Sequence, residues 1–358
     1  MAEIPICPEC GVPLHITTEH TWLPSGAVVQ TRQRHFRVSF FECGSLDPLF
    51  AGIGNLCGEP VQQMVTEASS RETFNYMDEL VPGELKELVA GPGAADYLNQ
   101  AAGVVVQLAR VMGYGHIAEF NLRFELDGDD FVKVHYSEPY SVPLMDGNIA
   151  GTARTLTQRD GEIVHEDLPD GTHLLTYTLS DPVKYKAQTL EPPEIPREGD
   201  IELRRCVSCG GPAMLTRYGW DLHRGVITGK HNGRRMAVLG PAMIAPLFEY
   251  LEQKEGEIIP ELVVEAERRF VRGGFYSSSE VRSESHMRDL FALRGLGNIA
   301  ELTMRRQGVR MRVRHATLHL MIVGITQGLY ELAYGKESRV EWEMSPDDTL
   351  DIEVTNWD

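Results

Sequence analysis

Six cysteines stand in this 358-residue chain, and four of them repeat one spacing. Cys7-Pro8-Glu9-Cys10-Gly11 is answered 199 residues later by Cys206-Val207-Ser208-Cys209-Gly210. A Cys-x-x-Cys turn offers two thiolates to one ion, and tetrahedral zinc takes four soft or borderline ligands, so each knuckle is half a site. The glycine after each second cysteine suits a turn sharp enough to aim backbone N–H groups at sulfur. The second half of the chain holds no other cysteine. The economical arrangement is therefore one shared structural Zn²⁺ on Cys7, Cys10, Cys206 and Cys209. The other arrangement completes each knuckle with histidines, His20 or His35 in the first half and His223 or His231 in the second, which do not align. A redox Cys-x-x-Cys opens a helix in a βαβ setting, and no helical pattern follows either knuckle here, which favours metal. Four thiolates close the coordination shell and leave no position for substrate. Cys43 and Cys57 have no counterparts in the second half and read as small packing residues.

The other polar candidates are weaker. Glu67 with Arg71, and Glu265 with Arg269, stand four apart on helical stretches; exposed, such a pair contributes only about 0.3–0.5 kcal/mol. Gly113-Tyr114-Gly115 and Gly295-Leu296-Gly297 lie after a helix and before a strand, the wrong order for a phosphate loop, and fit a helix end. Few of the 12 histidines align between the halves: His116 becomes Asn298, and His173 becomes Leu350. Residues peculiar to the first half are where a function unique to it would sit. His116, His135, Tyr136 and Tyr140 are the candidate ligand-binding set, able to line a pocket for a planar or aromatic molecule; ordinary surface or core roles are the competing account. No Gly-x-Ser-x-Gly elbow, His-Glu-x-x-His pair or Walker loop occurs, so no catalytic residue is assigned.

The knuckles belong to a longer recurrence. Pro48-Leu49-Phe50 returns as Pro246-Leu247-Phe248, Glu67-Ala68 as Glu265-Ala266, and Gly113 to Glu119 as Gly295 to Glu301. Collinear blocks with slippage in loops mark a tandem duplication. The domains expected are residues 1–189 (copy one), a proline-rich linker at 190–200, and residues 201–358 (copy two). Each copy opens with the knuckle and a hairpin, with turns at Leu23 to Gly26 and His223 to Gly225. Helical periodicity follows at Leu46, Leu49, Phe50 and Ile53, at Val61 to Leu80, and at Ala101 to Met112, with copy-two parallels at Ile244 to Leu251 and Leu262 to Phe270. The remainder of each copy reads as ββαββ, with helices at Val142 to Thr157 and Leu318 to Ala333. The fold class is α+β with antiparallel sheets.

Lys plus Arg number 34 against 52 Asp plus Glu, a net charge of −18. So acidic a chain repels phosphate backbones and makes nucleic acid an improbable partner despite local basic stretches such as Arg305 to Arg314. No apolar run is long enough to span a membrane. The amino terminus lacks the pattern of a signal peptide, and thiols paired as knuckles suit a reducing compartment, so a cytoplasmic location is expected.

The ββαββ halves carry a family texture. Copy one reads Phe131-Val132-Lys133-Val134, a small-residue helix through Gly151, Val164-His165-Glu166 and Asp170 to Leu174; copy two reads Val309 to Val313, Gly324 to Gly328, Val340-Glu341 and Asp347 to Leu350. This resembles the vinyl-reductase-type, hydrocarbon-binding domain family, whose members enclose small apolar ligands. The family's cysteine cluster near its terminal hairpin is missing here, so none of its ligand residues is carried over. The resemblance implies a small-molecule sensor or carrier with an apolar pocket, its partner a small apolar or aromatic molecule, and the knuckles add the structural zinc. The alternatives are an accessory or scaffold subunit with a protein partner, or an enzyme acting on an aromatic or thioester-like substrate.

Overall fold

A computed structural model describes residues 4–89, 91, 93–183, 187, 195–276 and 284–357. The first knuckle leads into α1 (Leu14–Glu19) and strands β1 (His20–Trp22), β2 (Val28–Gln30) and β3 (Arg37–Glu42). Helices α2 (Leu46–Cys57), α3 (Gln62–Leu80), α4 (Gly83–Leu88) and α5 (Ala94–Met112) follow. Then come β4 (His116–Arg123), β5 (Phe131–Ser137), α6 (Val142–Thr157), β6 (Arg159–Asp167) and β7 (His173–Pro182). Beyond the second knuckle lie β8 (Tyr218–Asp221), β9 (Val226–Gly229), β10 (Arg235–Leu239), α7 (Ala245–Glu255), α8 (Ile259–Phe270) and α9 (Glu284–Arg294). The chain closes with β11 (Asn298–Arg305), β12 (Gly308–Arg314), α10 (His319–Tyr334), β13 (Ser338–Met344) and β14 (Leu350–Asn356). The architecture is α+β, with every recorded strand pairing antiparallel.

A helical turn does follow each knuckle: α1 after the first, and a 3-10 turn at Ala213–Arg217 after the second. Pro13 and Pro212 precede them with φ of −55° and −56°, a geometry that pre-sets a turn, and Ile16 and Leu215 anchor them in the core. These pieces are too short to register as a periodicity.

Packing groups the chain into two compact units that are not consecutive stretches. One comprises Met1–Val61, Pro192–Gly219 and Val238–Asp358; the other comprises Gln62–Glu191 and Trp220–Ala237. The sequence boundaries at 189 and 201 mark where the pattern recurs; residues 190–194 of the proline-rich linker lie outside the described residues.

In the first unit the sheet order is β11-β12-β14-β13. Val309, Met311 and Val313 of β12 and Leu350, Ile352 and Val354 of β14 alternate into the interior, the period of two that one buried sheet face requires. The early strands β1 to β3 dock here: Trp22 Nε1 donates to the Leu293 carbonyl at 2.8 Å, and Arg37 Nη2 donates to the carbonyls of His315 at 2.6 Å and Gly295 at 3.0 Å. In the second unit the order is β4-β5-β7-β6, with Val132, Val134 and Tyr136 facing inward beside Leu175, Tyr177 and Leu179. Here the later segment 220–237 docks. The Gly115 amide donates to the Gly225 carbonyl at 2.9 Å, and Arg235 donates to the carbonyls of Pro139 and Gly113 at 3.1 and 3.3 Å.

Each sheet is backed by a helix that meets a second helix through glycines. A Cβ on Gly147 or Gly151 of α6 would stand 2.4 Å from Ser69 Cβ or the Ser70 carbonyl oxygen on α3. On α10, a Cβ on Gly324 would stand 2.6 Å from the Val264 carbonyl oxygen of α8, and one on Gly328 2.6 Å from Val271 Cβ. Such contacts force the backbone or its neighbours to move, and overpacking of this kind costs about 1–3 kcal/mol. Gly151→Ala and Gly324→Ala are each expected to lower stability by that amount. Gly128→Ala, where nothing stands within 4 Å, should change it by less than about 0.5 kcal/mol, as read by urea unfolding.

Candidate metal centre and polar row

The two knuckles lie in the same unit and face one another. Cys7 Sγ is 3.8 Å from Cys206 Sγ, Cys10 Sγ is 3.6 Å from Cys209 Sγ, and all four sulfurs lie within 4.8 Å of one another. These contacts are far beyond the S–S bond of about 2.05 Å in a disulfide. They match the edge of a tetrahedron, about 3.8 Å, drawn by four sulfurs at the Zn–S distance of about 2.3 Å. The backbone builds both knuckles identically. Cys7 and Cys206 accept from the amides of Gly11 and Gly210 at 2.9 and 3.0 Å, and both glycines take φ of +72°, a region open to glycine. Glu9 fastens the first knuckle to the second, its Oε2 accepting from the Ser208 amide at 3.0 Å and hydroxyl at 2.8 Å. The thiols are not alike. The Cys10 amide leads in lowering Cys7 to about 7, while burial pushes Cys10 up to about 12. The four residues fit a metal ion by donor type and by spacing.

The histidines of the alternative arrangement stand apart from this cluster. His20 is buried with Nδ1 3.0 Å from the Ile16 carbonyl, and burial lowers it to about 4, so the ring is neutral. His35 lies tilted against Phe36 with ring centroids 4.3 Å apart, and His223 stacks on His116 at 5.4 Å.

The four candidate ligand-binding residues lie in the second unit but do not converge. His116 Nδ1 is 2.9 Å from the His223 carbonyl. His135 and Tyr136 are strand neighbours and point to opposite faces. His135 Nε2 meets Thr172 Oγ1 at 2.7 Å on one side, whereas Tyr136 is fully buried on the other. Tyr140 accepts from Asn148 Nδ2 at 2.6 Å, and Asn148 Oδ1 in turn accepts from Ser69 and Thr73 of α3, so this tyrosine serves the helix packing.

Tyr136 instead belongs to a row that sequence reading did not assemble. Its hydroxyl donates to Asp146 Oδ1 at 2.6 Å, and Asp146 Oδ2 is 2.8 Å from His165 Nδ1. His165 Nε2 is 3.0 Å from Asp167 Oδ1, which is also 2.9 Å from His173 Nδ1. The register explains the grouping: Tyr136 pairs with His173, His173 pairs with Asp167, and His165 is two residues before Asp167 on the same face. Asp146 enters from α6, beside Gly147, with 6 % of its side chain exposed. Burial raises the Asp146 carboxyl, opposed by the Tyr136 hydroxyl and His165. Hydrogen bonds from His165 and His173 lower exposed Asp167. The findable signal was His165-x-Asp167, an alternation that places both on one strand face, followed across the hairpin by His173.

The matching positions of the first unit are apolar. The terminal pair Asp167–His173 corresponds in register to Met344–Leu350, His165 to Trp342, Tyr136 to Val313, and Asp146 to Val323. The outer face of that sheet is ionic, with Arg310 on Glu353 and Arg312 on Asp351, around a shallow depression of about 440 Å³.

Deeper in the first unit lies a buried acidic pair. Glu42 accepts from the Tyr276 hydroxyl at 2.5 Å and lies 3.4 Å from Arg294 Nη1. Glu267 of α8 is fully buried, and neither carboxylate oxygen has a hydrogen-bond partner among the described residues. Glu265, next along the same helix, holds both Arg268 and Arg269, so the expected i,i+4 pair exists within a larger ionic group that includes Glu331.

Comparison of the chain with family models, with curated proteins and with solved structures gave no match. No described helix is long and apolar enough to cross a membrane.

Burial, helped by Glu42, raises the Glu267 carboxyl from the ordinary 4.5 to about 8. The folded state thus holds this proton more tightly than the unfolded chain. Its contribution to stability is complete below about pH 4.5 and is lost progressively as pH rises through about 8. Glu267→Gln, neutral throughout, should gain stability over the parent protein between pH 5 and pH 8.5. Urea unfolding at those two pH values checks this, and an unchanged difference would refute it.

Proposed function

We propose that this is a zinc-stapled binding protein, in which Cys7, Cys10, Cys206 and Cys209 hold one structural Zn²⁺. The observation that carries this reading is four sulfurs within 4.8 Å of one another, with the two contacts between the knuckles, 3.8 and 3.6 Å, close to the edge of a zinc–thiolate tetrahedron. Four thiolates saturate zinc, so the ion fastens residues near 7 to residues near 206 and offers no position to a substrate. The matched strand orders of the two four-stranded sheets support a tandem duplication, each copy lending its hairpin to the unit that contains the other copy's ββαββ segment. The binding function is that of a small-molecule carrier or sensor, and the row from Tyr136 to His173 is its site. What supports this is chemical asymmetry: one sheet closes its end with Val313, Val323, Trp342, Met344 and Leu350, so the fold does not require polar groups there. Burying polar groups is costly unless they are hydrogen-bonded, and the row meets that cost with a chain of contacts from Tyr136 through Asp146 and His165 to Asp167 and His173 where apolar side chains serve the other sheet.

Protein purified without a tag or chelator is expected to carry one zinc per chain by elemental analysis. Cys206→Ser should lose it and unfold at markedly lower temperature, because structural zinc in small sites supplies folding free energy on the order of 10 kcal/mol. Full stability in the zinc-free state would overturn the assignment. Native mass spectrometry of the same sample tests the carrier reading through a retained small ligand.

A further inference from the structure

We infer that His165, Asp167 and His173 form a second metal site, open to solvent, for a divalent first-row transition ion. This deepens the reading of the polar row as the ligand site and rests on it. Two imidazoles and one carboxylate on one face of an ion are the donor set of open transition-metal centres; histidine disfavours magnesium and calcium, which take oxygen ligands. The distances fit that geometry. Three ligands about 2.1 Å from an ion, on one face of an octahedron, stand about 3.0 Å apart. Asp167 Oδ1 lies 3.0 Å from His165 Nε2 and 2.9 Å from His173 Nδ1, and the three donor atoms all fall within 4.8 Å.

The surroundings are those of a built site. A ligating histidine characteristically gives its other ring N–H to a carboxylate, which fixes the tautomer and makes the ligating nitrogen more basic. His165 has that partner in Asp146, 2.8 Å from Nδ1, and Asp146 is itself held by the buried Tyr136 hydroxyl at 2.6 Å. His173 is braced by stacking on the Tyr136 ring at 5.1 Å. Asp167 is 79 % exposed while the histidines are 23 % and 16 % exposed, so the ion would sit at the mouth of the row, its remaining positions facing outward. Those positions are where an oxygen-donor small molecule would bind.

Co²⁺ is the probe, added to full-length protein whose cysteine centre is already loaded with Zn²⁺. One equivalent of Co²⁺ is expected to bind by equilibrium dialysis, with weak d–d absorption and no thiolate charge-transfer band. Asp167→Asn and His173→Ala should each abolish that equivalent. Asp146→Asn should weaken it by about 10–100-fold, the usual effect of removing such a supporting carboxylate. A far-UV circular dichroism spectrum and a urea unfolding transition matching those of the parent show that the unit carrying the row has folded in each variant, since the zinc reports on the other unit. No Co²⁺ uptake by the zinc-loaded parent, or uptake unchanged in His173→Ala, would mean a hydrogen-bonded network only and overturn the proposal. A thiolate charge-transfer band would place the cobalt at the cysteines and overturn it equally. Cobalt bound at the row while native spectra show no retained small molecule would fail the carrier reading and leave the metal site standing.

Discussion

The close approach of α6 to α3 is the constraint from which the second unit follows. Without side chains at Gly147 and Gly151, the helices meet at a separation that any Cβ would prevent. At that separation Ser69 and Thr73 reach Asn148, and Asn148 reaches Tyr140. Asp146, one residue before Gly147, is thereby held under the sheet, where its carboxylate meets both Tyr136 and His165. The first unit uses the same device with Gly324 and Gly328 on α10, but carries Val323 where the other carries Asp146. One backbone solution thus supports a polar interior in one case and an apolar one in the other.

Much of the local structure was legible. The stretch Val142 to Thr157 is α6 to the residue, because a glycine-spaced helix between alternating strands leaves no ambiguity of period. The hairpins of both ββαββ segments fell within a few residues of their positions, as strict alternation around Asp-Gly or Asp-Asp turns requires. The cysteine spacing contained the four sulfurs of the candidate metal centre, and their meeting required that two similarly built turns face each other.

What stayed hidden depended on faces and on distant pairing. His135 and Tyr136 look like one site in the sequence, yet a strand sends adjacent residues to opposite sides. Conversely, Tyr136, Asp146, His165, Asp167 and His173 come from three strands and a helix, and no local pattern joins them before the register is known. Glu267 was equally silent: its helix reads as amphipathic, and its burial follows from tertiary packing, including the approach of Gly324 of α10 to its side chain.

The interleaved make-up of the two units has a consequence for synthesis. The ββαββ segment within Gln62–Glu191 emerges from the ribosome before the segment Trp220–Ala237 that completes its unit. At ordinary elongation rates that gap is on the order of seconds, long compared with hairpin formation, so the sheet β4-β5-β7-β6, whose strands all lie in the earlier segment, has time to form before its docking segment is made. The strands β1 to β3 wait longer still, until Val238–Asp358 has been made. Neither unit can be completed from one half of the chain alone, because each draws on residues from both. A stop before residue 237 would release a fragment with neither unit complete, whereas one just after it would leave the first unit alone unfinished.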